Sequence, residues 1–174
     1  MAGERYSPFL DLLRSVRRSA EERSWFARSD TRAALHKVRL LSAAAVYFNS
    51  LAVADFGGRL GPVRARGLVE QVVGAAFQTY GDIDPHPSPF DKAAMLLRGI
   101  TQGHPFNDGN KRTGLLVAAY YLDLVGRPYP PELPVEATVA LCLRVSAGEI
   151  RDVALIAAEL ERLWLGGPTE PQPG

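Results

Sequence analysis

Residues 104 to 125 read HPFNDGNKRTGLLVAAYYLDLV, and this stretch decides the fold. Its second half, from Leu115 to Leu122, is apolar on every side, which predicts a helix buried on all its faces. Its first half places an imidazole, a carboxylate, an amide, an ammonium and a guanidinium group within nine residues. These polar groups cannot be explained as the solvated face of a helix, because the helix that follows them is predicted to be buried on all sides. The stretch therefore predicts a helical core with a functional loop at one end.

Apolar residues recur at helical spacing on both sides of this central helix. The first predicted helix begins near Ser7. Six further predicted helices cover residues 31–57, 62–80, 88–103, 110–125, 133–144 and 149–165. A capping box of Ser146 and Glu149 is expected to start the last one. No alternating strand pattern occurs, and the turn formers between residues 79 and 90 predict at most a short β-hairpin. The predicted fold class is all-α.

The chain has 174 residues, which predicts one compact domain. We expect an N-terminal helical extension over residues 1–30, a catalytic domain over 31–165, and a disordered tail over 166–174. The tail prediction rests on the absence of any apolar residue there.

The composition excludes several classes of partner. The net charge is +1, which provides no global field for nucleic acid, and no apolar run approaches the roughly 18 residues that span a bilayer. We therefore expect neither direct nucleic-acid binding nor a membrane anchor. The single cysteine, Cys142, has no intramolecular partner and fits a reducing cytoplasm. The arginines at 14, 17 and 18 are interpreted as a solvated face, with contact to an acidic partner as the alternative.

The loop before the central helix combines groups that bind phosphate. A helix beginning near residues 108 to 110 directs free N–H groups and a positive dipole end at the loop, where an anion can bind. Gly109 has no Cβ, which allows a ligand close to the backbone. Lys111 and Arg112 add two cations at the same helix end.

Two further side chains of the loop suggest a reaction. Asp108 offers a hard oxygen ligand for Mg²⁺, which binds through one or two carboxylates and the phosphates that it neutralises. His104 carries an imidazole, the side chain that most often takes a proton from a reacting hydroxyl. Together these residues indicate metal-assisted phosphoryl or nucleotidyl transfer, and Phe106 is interpreted as a buried pin that holds the loop.

Each of these residues also has a purely structural interpretation. Asp108 alone could cap a helix, His104 could end one, and Lys111 with Arg112 could be a surface pair. The pattern His-x-Phe-x-Asp-Gly-Asn-x-Arg favours function because all its positions are filled together. Elsewhere, Asp82, Asp84 and His86 are spaced like metal ligands, but a proline-rich turn favours Asx turns at such residues.

The segment HPFNDGNKR resembles the signature of the Fic/Doc family, which lies between two helices of an all-α fold. The similarity is greatest to the Doc (death on curing) toxins and extends over roughly residues 35 to 127. It implies that His104 activates the target hydroxyl, that Asp108 binds Mg²⁺, and that Gly109, Asn110 and Arg112 form the anion hole. It also implies that the hairpin near residues 79–90 is a flap that docks the target segment.

Two positions separate this chain from the adenylylating Fic pattern, which has Gly at the position of Lys111 and a second Arg at that of Leu115. Both differences are Doc-like. They imply transfer of the γ-phosphoryl group of ATP to a threonine of an elongation factor Tu-like protein, and so inhibition of translation. No inhibitory Ser/Thr-x-x-x-Glu helix is present, so a separate antitoxin is the implied partner. AMP transfer and a non-catalytic interaction module of the same fold are the alternatives.

Overall fold

The structure is a computed structural model that describes residues 31–56, 58, 65 and 67–166, together with Arg23 and Phe26. The predicted N-terminal extension, apart from those two residues, lies outside the described part of the chain. So does the predicted tail beyond Gly166.

Helices dominate the described residues. They are α1 (Thr31–Phe56), α2 (Leu68–Ala75), α3 (Pro89–Gly103), α4 (Asn110–Leu124), α5 (Val135–Ala147) and α6 (Val153–Leu165). The expected hairpin is reduced to one antiparallel bridge between Tyr80 and Ile83. The all-α prediction is confirmed, since the described residues form no named strand.

Helix α4 lies at the centre because its sequence offers no polar face. Every residue from Thr113 to Leu124 is buried. Helices α1, α3 and α5 pack around α4, and α3 also packs against α2, α5 and α6. Aromatic rings also pack between α4 and α1, where Phe48 and Tyr120 meet edge to face with their ring centroids 5.5 Å apart. This packing places the start of α4 where α1, α3 and α5 meet.

The helix ends confirm one predicted cap and contradict another. Helix α3 begins with the predicted cap, in which Ser88 and Asp91 accept each other's backbone N–H groups. The predicted capping box of Ser146 and Glu149 is wrong. Helix α5 continues through Ser146 until Gly148 adopts a left-handed conformation, and α6 is capped instead by Asp152, which accepts the N–H of Leu155.

Helix α2 covers only part of the predicted span of residues 62–80, of which residues 62–64 and 66 lie outside the described part of the chain. Gly67, with φ of 79°, precedes its first residue, and α2 ends at Ala75. Hydrogen bonds from Ala76 to Val73 and from Phe77 to Gly74 then tighten the chain into turns. No helix in the described ranges is long and apolar enough to cross a membrane.

Candidate active site

The loop between α3 and α4 turns sharply at His104. This residue caps α3 with φ of 45°, the only non-glycine residue with positive φ among those described. A left-handed histidine is a strained conformation that the surrounding structure must hold in place. The imidazole is exposed and lines a cleft, so the strain occurs at a side chain available to a ligand.

The cleft has a volume of about 680 Å³, within the range of about 300 to 1,000 Å³ typical of small-molecule sites. Polar groups of the loop and the first turn of α4 line it together with apolar side chains from α1, α4 and α5. The lining residues are Phe56, His104, Asn107, Asp108, Gly109, Asn110, Lys111, Arg112, Leu115, Val139, Cys142 and Leu143. The structure thus brings His104, Asp108 and the residues from Gly109 to Arg112 to one cavity.

Helix α4 begins with a group of backbone donors at this cleft. Gly109 is its N-cap, and the first intrahelical hydrogen bond runs from Thr113 N–H to Gly109 C=O. The N–H groups of residues 110 to 112 precede that bond, so they lie at the positive end of the helix dipole. Lys111 and Arg112 carry their cations at the same end, and this combination suits an anionic ligand.

Asp108 contributes the carboxylate of the cleft. It is exposed, and its Oδ1 accepts the N–H of Gly109 at 2.6 Å. A Cβ added to Gly58 would lie 2.6 Å from Asp108 Oδ2, so this carboxylate packs directly against the backbone that follows α1. Within the described chain, no cluster of three His, Cys, Asp or Glu residues could hold a metal by itself. One carboxylate instead suits a Mg²⁺ ion that the phosphates of a ligand also coordinate.

Asn110 has its side chain turned back into the loop. Its amide oxygen accepts the N–H of Phe106 at 3.0 Å, and its Nδ2 donates to the carbonyl of Phe106 at 2.9 Å. The ring of Phe106 is only 3% exposed. Asn110 therefore offers its backbone to the cleft, while its side chain fastens the loop to the first turn of α4.

Gly109 faces α1 on the side where a Cβ would project. That atom would lie 2.9 Å from Nδ2 of Asn49 and 3.2 Å from Val53, and φ is 77°. Glycine is therefore required by the backbone conformation and by packing against α1. This is a different reason from the close approach of a ligand that the sequence suggested.

Lys111 links the cleft to α5 through its backbone. Its carbonyl accepts a hydrogen bond from Cys142 Sγ at 3.3 Å. Burial raises the pKa of the Cys142 thiol to about 12, although the positive charge of Lys111 opposes this. Cys142 is thus a neutral wall of the cleft at neutral pH and not a nucleophile.

The matches with known proteins agree with this geometry. The model of the Fic/DOC family matches residues 40–122. Toxin Doc of Mycolicibacterium smegmatis (strain ATCC 700084 / mc(2)155) is 35% identical over 105 residues, which cover 60% of this chain and 79% of that protein. This chain belongs to the Fic/DOC family. A Fido domain-containing protein of Dictyostelium discoideum is 36% identical over 72 residues, or 40% of this chain and 49% of the relative.

Two residues that contact the Fic/DOC motif were missed from the sequence. Asn49 of α1 is buried and donates from Nδ2 to the carbonyl of Asp108 at 2.7 Å and to Thr113 Oγ1 at 3.1 Å. Phe56 lies under the guanidinium of Arg112, whose Cζ is 4.4 Å from the ring centroid. A signal for Asn49 did exist, because it is a polar residue on the same helical face as Ala45, Phe48 and Ala52.

The turn that precedes α3 is fixed by charge and lies outside the lining of the Fic/DOC cleft. Asp84 Oδ1 accepts the N–H of His86, an Asx turn as expected, and Lys92 Nζ pairs with Asp84 Oδ2 at 2.6 Å. Partial burial raises the pKa of Asp84, but the hydrogen bonds from Lys92 and the His86 backbone outweigh it, so the net shift is downward. Asp84 thus serves the turn, as the favoured interpretation predicted. The side chains of Tyr80 and Ile83 at its tip are exposed.

Proposed function

We propose that this protein is a Doc-like toxin that transfers the γ-phosphoryl group of ATP to a hydroxyl of an elongation factor Tu-like protein. The observation that carries the proposal is the start of α4, where Lys111 and Arg112 join free backbone N–H groups at the edge of a cleft. The 35% identity to toxin Doc supports the same assignment. Transfer of this kind would inhibit translation.

His104 is the proposed general base. It accepts the proton of the target hydroxyl as that oxygen bonds to the γ-phosphorus, and the bond from phosphorus to the β–γ bridging oxygen breaks to release ADP. The N–H groups at the start of α4 and the cations of Lys111 and Arg112 stabilise the negative charge on the transferring group. The side chain of Lys111 carries a compact ammonium charge, which can stabilise the negative charge on the phosphoryl group during transfer.

Asp108 is the proposed ligand for Mg²⁺. When bound, the ion neutralises phosphate charge and orients the phosphate chain of ATP. The apolar wall formed by Leu115, Val139 and Leu143 offers a surface for the nucleoside. Phe106 and the side chain of Asn110 keep the loop in place while the chemistry proceeds.

The identity of the transferred group is tested with ATP labelled separately at the α- and γ-phosphates. The protein is incubated with a cytosolic extract and Mg²⁺, and the labelled proteins are then separated. Transfer of the γ-label alone is expected. Transfer of the α-label would contradict phosphoryl transfer and support the Fic-type adenylyltransferase reaction.

Growth arrest on expression tests the toxin part of the proposal. A separate antitoxin protein is the proposed partner, and the cytoplasm is the proposed location. Arrest that requires His104 and is relieved by co-expression of an antitoxin is the expected result. Arrest that persists in His104→Ala would instead support a non-catalytic interaction module.

A further inference from the structure

Phe56 and Arg112 meet at the edge of the cleft from two different helices. Phe56 is the last residue of α1, and Arg112 lies in the first turn of α4. The guanidinium carbon lies 4.4 Å from the centroid of the Phe56 ring, well within the distance of about 6 Å at which a cation is attracted to an aromatic face. Both residues line the cleft, and both are partly buried.

The position of Arg112 has a cost that this contact offsets. A cation in the first turn of a helix is opposed by the helix dipole, and a free arginine side chain has many rotamers. The ring face holds the guanidinium without using its N–H donors in strong hydrogen bonds. Among the described residues, no carboxylate lies within ion-pair distance of Arg112, whereas Arg162 pairs with Glu159 at 2.9 Å. The Phe56 contact therefore holds the charge while leaving its donors for a ligand.

A second cation near a phenylalanine shows the contrast. Lys92 Nζ lies 5.9 Å from the centroid of Phe77, outside the cleft. There Nζ is also held by Asp84 and by the carbonyl of His86, each at 2.6 Å. Two strong hydrogen bonds already fix the ammonium group of Lys92, so Phe77 contributes little to its position.

We propose that Phe56 is a positioning residue that holds the guanidinium of Arg112 in the orientation that binds the phosphate chain. This inference rests on the proposed function, because it takes the anion to be the phosphate chain of ATP. Phe56 acts through Arg112, and its own contact with the nucleotide contributes little.

A double-mutant cycle on ATP affinity tests this role. Isothermal titration calorimetry with ATP and Mg²⁺ is performed on the wild-type protein and on Phe56→Leu, Arg112→Ala and the double variant. Phe56→Leu should weaken ATP binding about fivefold, as expected for loss of a partly exposed cation–π contact. In the Arg112→Ala background the same substitution should have no further effect. Phe56→Tyr keeps the ring and should bind ATP as the wild type does.

Two controls separate positioning from stability. Phe77→Leu removes a partly buried phenylalanine below a cation outside the cleft, and it should leave ATP affinity unchanged. Phe56→Met keeps most of the side-chain volume without an aromatic face. It should reproduce the loss in Phe56→Leu, and it takes the place of that variant if the leucine substitution prevents folding.

The outcomes distinguish the inference from the function on which it rests. If wild type and Arg112→Ala bind ATP equally, or neither binds it, the proposed nucleotide site is wrong and the inference falls with it. If affinity depends on Arg112 but Phe56→Leu and Phe56→Met bind as the wild type does, only the positioning role is wrong. If Phe56→Leu weakens ATP binding as much in the Arg112→Ala background as in the wild type, Phe56 contacts ATP directly. That result would also overturn the positioning role.

Discussion

Asn110 determines the shape of the motif loop at the level of single atoms. Its amide is one of the few side-chain groups that can donate and accept at once, and the backbone N–H and C=O of Phe106 use both functions. An aspartate would keep the acceptor and lose the donor. The asparagine therefore holds the loop closed over the core while the backbone of α4 remains at the cleft.

Replacement of Asn110 by Ala should destabilise the protein by about 2 to 6 kcal/mol. Two buried backbone groups of Phe106 would lose their partners, and each unsatisfied buried group costs about 1 to 3 kcal/mol. Urea unfolding of the two proteins measures the difference. Ser50→Ala is the matched control, since Ser50 makes an exposed hydrogen bond to the carbonyl of Tyr47 and should cost less than about 1 kcal/mol. Equal losses in the two variants would contradict this role for Asn110.

The sequence grouped the motif residues of the cleft because they are neighbours in the chain. His104, Asp108 and Arg112 fall within one short motif, and a helix start brings such residues together without knowledge of the tertiary fold. Asn49 is 59 residues from Asp108, and its role became visible only when α1 packed against α4. The packing that requires glycine at position 109 was also not predictable from the sequence, because the atoms that exclude a Cβ there belong to α1.

At the scale of elements, α1 and α4 pack closely because Gly109 has no side chain. Gly109→Ala adds a Cβ at a left-handed residue and also 2.9 Å from Asn49 Nδ2. Gly126 has φ of 78° but no atom within 4 Å of the position that its Cβ would occupy. The two glycines thus share backbone conformation and differ in packing.

Gly126→Ala should therefore cost about 1 kcal/mol, the low end of the range for a left-handed non-glycine residue. Gly109→Ala should cost about 1 to 3 kcal/mol more, because overpacking is added to the same backbone strain. Thermal or urea unfolding of both variants measures this difference. If both substitutions cost the same, close packing of α1 against the motif is not what requires Gly109.

The elements themselves were largely predictable, and their ends were less so. The wholly apolar run of α4 and the Ser88 cap of α3 are local signals, and both gave the correct helix. Ser146 and Glu149 have the spacing of a capping box, yet Ser146 remains inside α5 until the left-handed Gly148 ends it. A capping motif predicts a helix start only where the preceding residues leave the helix, and spacing alone does not show that.

At the scale of the whole molecule, Arg23 is joined to the core by charge. Asp123, near the end of α4, is 1% exposed, and its Oδ1 accepts a hydrogen bond from Arg23 at 3.0 Å. Phe26 is also buried, and its ring meets that of Tyr121 edge-on. Of the predicted extension, Phe26 therefore belongs to the same core as α4, and Arg23 is bonded to that helix.

Arg23→Ala should destabilise the protein by about 1.5 to 3 kcal/mol, since it removes a charged hydrogen bond to the buried carboxylate of Asp123. Arg162→Ala is the control, because its pair with Glu159 on α6 is partly exposed and should contribute no more than about 1 kcal/mol. Urea unfolding at neutral pH gives both values. A loss no greater for Arg23→Ala than for the control would show that Asp123 does not depend on this partner.

The three lysines show where part of the positive charge of the molecule lies. Only three of the 20 cations are lysines, and Lys111 is one of them. The structure gives each lysine a defined place, with Lys37 over Phe26 and Lys92 on Asp84. Scarcity alone therefore does not mark the functional lysine. What distinguishes Lys111 is its location at a helix start beside the cleft, in a protein whose net charge is close to zero.

The rate of γ-phosphoryl transfer by His104→Ala tests the central claim most directly. The measurement uses γ-labelled ATP, Mg²⁺ and a cytosolic extract, with His36→Ala as the control because His36 is an exposed histidine of α1 outside the cleft. We predict that His104→Ala transfers label about 10² to 10⁴ times more slowly than the wild type, the usual loss on removing a general base. The control should match the wild type. Transfer by His104→Ala at the wild-type rate would contradict the claim that this cleft is the active site.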